Sequence, residues 1–264
     1  MRIGWVGAGR MGRPMVGRLL AAGHDVAVLG RTDEVRAELA GDGATAVPDA
    51  AAVADGAGVV ILCLFSDEQV RAVGLDGPLL DAMAPGSVLV VHTTGSPRTV
   101  EALAERASGR GVDVVDAPVS GGPHDIAAGR LTLFVGGDDA AVSRARPALT
   151  AYGDPVLHVG PLGAGQRVKL LNNALFAAHI GLLREAAGLA ARWGLPEPVL
   201  LEALPHGSAA SRALAGAAAR GSITGFAESV RDFLGKDVDN VRKTAADLGG
   251  DLGAIDGAIG RAVG

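Results

Sequence analysis

The sequence predicts an α/β protein, with a doubly wound, mainly parallel sheet in the first part of the chain and an all-helical second part. Three observations carry that expectation. Short runs rich in Val, Leu and Ile recur at residues 2–6, 25–29, 58–64, 87–91, 112–115, 131–135 and 155–159. Several are apolar throughout, as strands covered on both faces are. The stretches between them, among them 11–22, 34–40 and 99–108, have helix-forming composition, and such alternation with right-handed crossovers builds a parallel sheet. After about residue 160 the strand signal stops, and residues 164–193 run without proline up to Gly194 and Pro196, a clean helix stop. Thirty residues at ~1.5 Å each make a helix of about 45 Å, too long for one small domain and suited to linking two.

Taken in order, the first strand ends at Val6 and enters Gly7, Gly9 and Gly12, a G-x-G-x-x-G, before a helical pattern opens at Pro14-Met15-Val16. Gly7 permits a tight turn, Gly9 has no Cβ to keep a pyrophosphate from the backbone, and Gly12 lets the helix pack closely on the strand. Phosphates then lie at the positive end of the helix, facing N–H groups that have no partner within it. In a chain with 40 glycines the motif alone also suits an ordinary turn. The strand before it, the helix after it and a second strand at 24–29 favour dinucleotide binding. At the end of that second strand an acidic residue would take the ribose hydroxyl of NAD. Here Gly30 stands in that place, followed by Arg31 and Thr32. A guanidinium and a hydroxyl suit a 2′-phosphate, which predicts NADP(H). The alternative is a solvated Arg31, with Asp33 serving the ribose.

The composition narrows the function further. A chain of 264 residues has room for two modest domains. A net charge of −5 leaves no electrostatic footprint for nucleic acid. Aromatic residues make up only 3%, so Val, Leu, Ile and Ala must build the core. The single cysteine, Cys63, excludes an intrachain disulfide and sits in the apolar run 59–64 as a buried, inert residue. No metal cluster is expected, and no apolar run reads as long enough to span a membrane. The chain enters a core strand at its first residues, leaving no room for a signal peptide, so a cytoplasmic protein is expected.

Three later segments carry candidate chemistry. Asp116-Ala117-Pro118-Val119-Ser120-Gly121-Gly122 follows a strand directly, and its small residues and successive N–H groups suit an anion as well as they suit a plain turn. In the long helix Lys169 and Asn173 are four apart and share a face, with Val168, Leu171 and Leu175 making the surroundings apolar. A lysine there is either tuned for proton transfer or extended to solvent. Lys236-Asp237, within 233–240, is either a surface ion pair or a substrate contact.

Together these segments resemble the β-hydroxyacid dehydrogenase family, which includes 3-hydroxyisobutyrate dehydrogenases and short aldehyde acid reductases. The resemblance covers nearly the whole chain. Residues 7–15, with Arg10, Met11 and Pro14, resemble the family's cofactor fingerprint. Residues 116–122 resemble its substrate signature, 160–173 its catalytic signature, and Lys236-Asp237 its Lys-Asp motif. Residues 129–132 and 136–138 resemble its connecting hairpin region. What the resemblance implies is an N-terminal Rossmann domain over 1–162 that binds NADP, then an all-α substrate and dimerisation domain over 163–264 that begins with the long interdomain helix. It implies Lys169 as general acid/base, Asn173 holding lysine and substrate, and Ser120, Gly121 and Gly122 on a small-molecule carboxylate. Lys236 and Asp237 would be further substrate contacts. Leu64, Phe65, Thr94 and Ser96 would lie along the cofactor beside Gly7, Gly9, Arg10, Met11, Gly12, Arg31 and Thr32.

Two departures from the family pattern bear on specificity. Gly30 replaces the Asn that NADP-dependent members commonly carry before the Arg. His206 has no basic cluster beside it, which argues against a phosphorylated sugar acid as substrate. Imine reductases share the architecture but generally lack the lysine, so Lys169 favours the hydroxy acid reading. A silent dinucleotide-binding module is the third alternative. The apolar helical second domain predicts a homodimer, with a tetramer as the alternative.

Overall fold

The structure, a computed structural model, describes residues 1–263, with residues 232, 233 and 263 described by backbone alone. The chain forms two compact units, Met1–Lys169 and Leu170–Gly264. The division expected from sequence lies before the long helix, whereas the first unit also takes in that helix's opening turns.

The first unit contains β1 (Arg2–Val6), α1 (Gly12–Ala21), β2 (Asp25–Leu29), α2 (Asp33–Gly41), β3 (Thr45–Val47), α3 (Ala50–Ala54), β4 (Val59–Leu62), α4 (Asp67–Gly74), α5 (Leu79–Ala82), β5 (Val88–Val91), α6 (Pro97–Ser108), β6 (Asp113–Asp116), β7 (Val119–Ser120), α7 (Pro123–Ala127), β8 (Leu131–Gly136), α8 (Asp139–Leu149) and β9 (Gly153–Gly160). They build one sheet, ordered β3-β2-β1-β4-β5-β6-β8-β7, with β9 paired to β8. The strands from β1 to β6 pair in parallel. β8 runs antiparallel to β6 and β7, and β9 parallel to β8. This is the doubly wound Rossmann arrangement. The seven strands expected from apolar runs all form, and β3 and β7 add to them. Each of those two is too short to carry a periodicity, and each is held by its pairing. The stretch read as a hairpin region is β8, which α7 joins to β7.

The sheet is buried on both faces, and the period-2 geometry of a strand sorts its side chains between two cores. Ile3, Trp5, Val59, Ile61, Val88 and Val90 pack with Met15, Val16 and Leu19 of α1 on one side. Val6, Val60, Leu62, Leu89 and Val91 pack with Val100 and Leu103 of α6 on the other.

The long helix α9 (Ala164–Arg192) opens in the first unit and continues as the first helix of the second. There it is followed by α10 (Glu197–Ala203), a 3₁₀ turn (Leu204–His206), α11 (Arg212–Arg220), α12 (Ile223–Asp247) and α13 (Ala254–Val263). Leu170, Ala174, Ala177 and Ile180 bury one face of α9 against Val230, Leu234, Val238 and Ile259. By length and composition α9 is long and apolar enough to cross a membrane, so the expectation that no such run exists fails. The physical reason is that one face of this helix is a core surface. Leu171, Leu175, Leu182 and Leu189 are exposed on α9, as is Trp193 just beyond it.

Candidate active site

The G-x-G-x-x-G turn lies between β1 and α1. Gly7 has φ +104°, and a Cβ there would stand 2.1 Å from the carbonyl oxygen of Cys63. A Cβ on Gly12 would stand 1.9 Å from the carbonyl oxygen of Gly7. No side chain fits at either position without moving backbone. Gly9, by contrast, faces open space, so the chain folds tightly beneath and leaves room above. The first turn of α1 carries no acidic side chain, which keeps its positive end open to an anion. Beside the turn is a cleft of about 280 Å³ whose walls include Gly7, Gly9, Leu29, Arg31, Leu64 and Phe65. This cradle fits a dinucleotide.

The end of β2 is organised by a residue that sequence reasoning missed. Arg36 donates from Nη1 to the carbonyl of Gly30 at 2.7 Å and pairs through Nη2 with Asp33. Its stem fills the space a side chain at position 30 would need, since a Cβ on Gly30 would lie 2.5 Å from Arg36 Cγ. Asp33 is thus tied to Arg36. Thr32 Oγ1 accepts from the Val35 N–H and caps α2. Arg31 is exposed.

At the carboxyl ends of β5 and β6 several loops converge. Thr93 Oγ1 accepts from the Leu64 N–H at 2.9 Å. The Ser96 N–H donates to Asp67 Oδ1, and Thr99 Oγ1 donates to Asp67 Oδ2. Ser96 Oγ caps α6 by accepting from the Arg98 N–H, and Thr94 is half-buried between these anchors. Gln166, in the first turn of α9, accepts from the Gly95 N–H at 3.0 Å and donates to the Thr93 carbonyl at 2.8 Å. Asp116 ends β6 and accepts from the N–H groups of Gly163 (2.7 Å) and Gln166 (2.6 Å). In the substrate signature Ser120 lies in β7, and the Gly122 N–H donates to Asp125 Oδ2 at 2.9 Å. Asp116 is a carboxylate closing an apolar strand run, the signal by which its anchoring role could have been suspected, whereas Asp67 and Gln166 sit among polar and small residues and carry no such signal.

Lys169 is half-buried on α9. One turn on, in the second unit, Asn173 is buried and donates from Nδ2 to Asp237 Oδ2 at 2.7 Å. It also accepts from Asn172 Nδ2 at 3.0 Å. Lys236 Nζ lies 3.5 Å from Asp237 Oδ1. The second unit thus joins Asn173 to the Lys-Asp motif on α12. The side chain of Phe233, in the same segment, lies outside the described residues.

Burial sets the electrostatics beneath the loops. It pushes the Asp116 carboxyl up to about 6, although the N–H groups of Gly163 and Gln166 pull the other way. It drives His92 down to about 4. The 2.6 Å contact from His92 Nδ1 to the Ala117 carbonyl requires a proton on Nδ1, so the neutral ring accepts at Nε2 from the Tyr152 hydroxyl at 2.7 Å. Cys63, between the Gly7 turn and Leu64, is pushed up to about 12 by burial, consistent with an inert thiol.

Residues 2–160 match the family described as the NAD binding domain of 6-phosphogluconate dehydrogenase. Residues 163–256 match the one described as NAD-binding of NADP-dependent 3-hydroxyisobutyrate dehydrogenase. The chain belongs to the β-hydroxyacid dehydrogenase family. It is an oxidoreductase of the hydroxyacid dehydrogenase type that binds a nicotinamide dinucleotide. Among its relatives, an NAD-dependent L-serine dehydrogenase of Pseudomonas aeruginosa is 38% identical over 81% of this chain and 72% of the relative. A 3-hydroxyisobutyrate dehydrogenase of the same organism is 37% identical over 80% and 72%. Among solved structures, a 3-hydroxyisobutyrate dehydrogenase from Salmonella typhimurium superposes with a TM-score of 0.83 at 30% identity, covering 98% of this chain and 92% of that one. Psf3 in complex with NADP+ and 2-OPP gives 0.73 at 26%, covering 98% and 99%. An imine reductase of Streptomyces aurantiacus, at 0.66 and 21% with coverages of 98% and 99%, shares the fold.

Proposed function

We propose that this β-hydroxyacid dehydrogenase transfers a hydride between NADP(H) and a small 3-hydroxy acid or its aldehyde acid, with Lys169 as general acid/base. The observation that carries the reading is the buried Asn173–Asp237 hydrogen bond one helical turn beyond Lys169. Asn173 stands four residues beyond Lys169 on α9, so the two positions share a face of that helix. The named substrates of the two Pseudomonas relatives, L-serine and 3-hydroxyisobutyrate, are both 3-hydroxy carboxylates, which supports that substrate class.

The cofactor, when bound, supplies or accepts the hydride at nicotinamide C4. In reduction Lys169 donates its proton to the aldehyde oxygen as the carbonyl carbon gains the hydride. In oxidation it takes the hydroxyl proton. Asn173 orients the lysine and the substrate. Ser120, Gly121 and Gly122 hold the carboxylate, with Lys236 and Asp237 as further substrate contacts. Gly7, Gly9, Arg10, Met11 and Gly12 cradle the pyrophosphate, Leu64 and Phe65 flank the dinucleotide, and Thr94 and Ser96 meet the nicotinamide. NADP is favoured over NAD because Arg31 lines the cleft, while Asp33, the acid that would serve a ribose hydroxyl, pairs through Oδ1 with Arg36 on the surface of α2. The exposed stripe of Leu171, Leu175, Leu182, Leu189 and Trp193 supports a homodimer.

The test is a 340 nm screen with NADPH and NADH against succinic semialdehyde, glyoxylate, tartronate and methylmalonate semialdehydes and 2-methylpyrroline. Oxidation runs with 3-hydroxyisobutyrate and L-serine complete it. Turnover of a hydroxy acid or aldehyde acid, lost in Lys169→Ala, is the expected result. Turnover of the imine alone overturns the substrate class and removes Lys169 from the mechanism.

A further inference from the structure

Gln166 is 1% exposed and Asp116 fully buried. Only one orientation of the Gln166 amide suits its neighbours. The Gly95 N–H can only donate and the Thr93 carbonyl can only accept, so Oε1 must face Gly95 and Nε2 must face Thr93. The backbone N–H of Gln166 is held in turn by Asp116 Oδ2, and Asp116 Oδ1 takes the N–H of Gly163. A carboxylate at the end of β6 therefore caps the start of α9, and the first turn of α9 clasps the loop after β5. The packing leaves no slack, since a Cβ on Gly165 would lie 2.3 Å from the Phe134 carbonyl oxygen and 2.8 Å from Asp116 Oδ2. On its other side the same loop is fixed by Asp67 and by the Leu64 N–H. Lys169 follows Gln166 by three residues, a rise of about 4.5 Å along the helix.

We infer that Gln166, seated by Asp116, is a positioning residue that holds the Thr93–Ser96 loop in fixed register with the turn of α9 carrying Lys169. The inference rests on the proposed roles of Thr94, Ser96 and Lys169, and extends them to a residue that touches neither substrate nor cofactor. Hydride and proton transfer must occur at adjacent atoms of one substrate. A displacement of about 1 Å between their two supports costs on the order of 10²-fold in rate. A bidentate amide between the supports removes that freedom.

Three variants of the full chain test it: Gln166→Ala, Gln166→Met and Gln166→Glu. Without cofactor, hydrogen exchange at the Gly95 amide should speed up at least ~10-fold in Gln166→Ala and Gln166→Met, because its acceptor is gone. NADPH affinity, read by fluorescence titration, should stay within about threefold of wild type. With 3-hydroxyisobutyrate and NADP+, kcat should fall ~10–100-fold with a larger primary deuterium isotope effect, while KM changes little. Gln166→Glu is isosteric. Its protonated acid accepts from Gly95 and donates to Thr93 as the amide does, whereas its carboxylate repels the Thr93 carbonyl. Burial raises that carboxyl, so kcat of Gln166→Glu should recover toward wild type as pH falls, a limb the wild-type profile lacks. Unchanged Gly95 exchange, or a wild-type kcat and isotope effect with only a lowered Tm, overturns the inference. An active Lys169→Ala enzyme instead overturns the mechanism beneath it, and the Gly95 exchange result then still reports on the clasp by itself. If neither apolar variant folds, the pH limb of Gln166→Glu decides.

Discussion

At Lys169 the chemistry narrows to one amine, and replacing it with alanine should lower turnover by roughly 10²–10⁴-fold while NADPH binding stays intact. Steady-state kinetics and a binding titration on the same preparation check this. Arg31→Ala should weaken NADPH far more than NADH, and equal losses would remove Arg31 from 2′-phosphate recognition. The structure adds a condition to any attempt at switching the cofactor. Because Arg36 occupies the space beside Gly30, Gly30→Asp alone should gain no NADH activity. The pair Gly30→Asp with Arg36→Ala should gain it, as the NADH/NADPH ratio of kcat/KM will report. The G-x-G-x-x-G, Arg31, Lys169 and Asn173 were legible as candidates because each belongs to a local pattern. Arg36 was not, since a lone arginine on an exposed helix carries no sign of what it reaches.

At the scale of elements, α9 is the piece with two demands on it. Its first turn is pinned by Asp116 and Gln166, and its later turns pack on α12 and α13. At Gly181 α9 lies close against α13, for a Cβ there would stand 1.9 Å from the Ala258 carbonyl oxygen. Gly181→Ala should therefore cost about 1–3 kcal/mol, seen as a lower denaturation midpoint. No effect would mean that α13 moves aside freely. The length of α9 was readable from the absence of proline and the stop at Gly194. Which face it buries was not, because leucines line both its packed and its exposed sides.

For the whole molecule, pH couples two buried groups of opposite sign. His92 has its pKa lowered from 6.5 to about 4, so over that window the unfolded chain binds the proton more readily and stability is lost as pH falls. Asp116 is raised from 3.8 to about 6, so the folded chain binds the proton more readily and stability is lost as pH rises through that range. Between pH 4 and 6 the two offset each other. Removing one should expose the other. Tm of His92→Gln should fall from pH 4 to 6, and that of Asp116→Asn should rise, each by roughly 5 °C. Matching slopes in both variants would show that neither group titrates as its burial implies. Light scattering should give a dimer mass, and Leu182→Glu with Leu189→Glu should give a monomer.

The sequence by itself determined the class of fold, the order of its long strands and helices, and the family. These rest on periodicity and on motifs a few residues long, and local physical chemistry writes both directly into the chain. Only the tertiary structure decided that Asp116 caps a helix beginning nearly fifty residues later (Asp116 to Gly163 and Gln166), and that Gln166 clasps the loop after β5. Those contacts join residues far apart in sequence. Their partners are chosen by how the sheet brings strand ends together, a fact with no local signature.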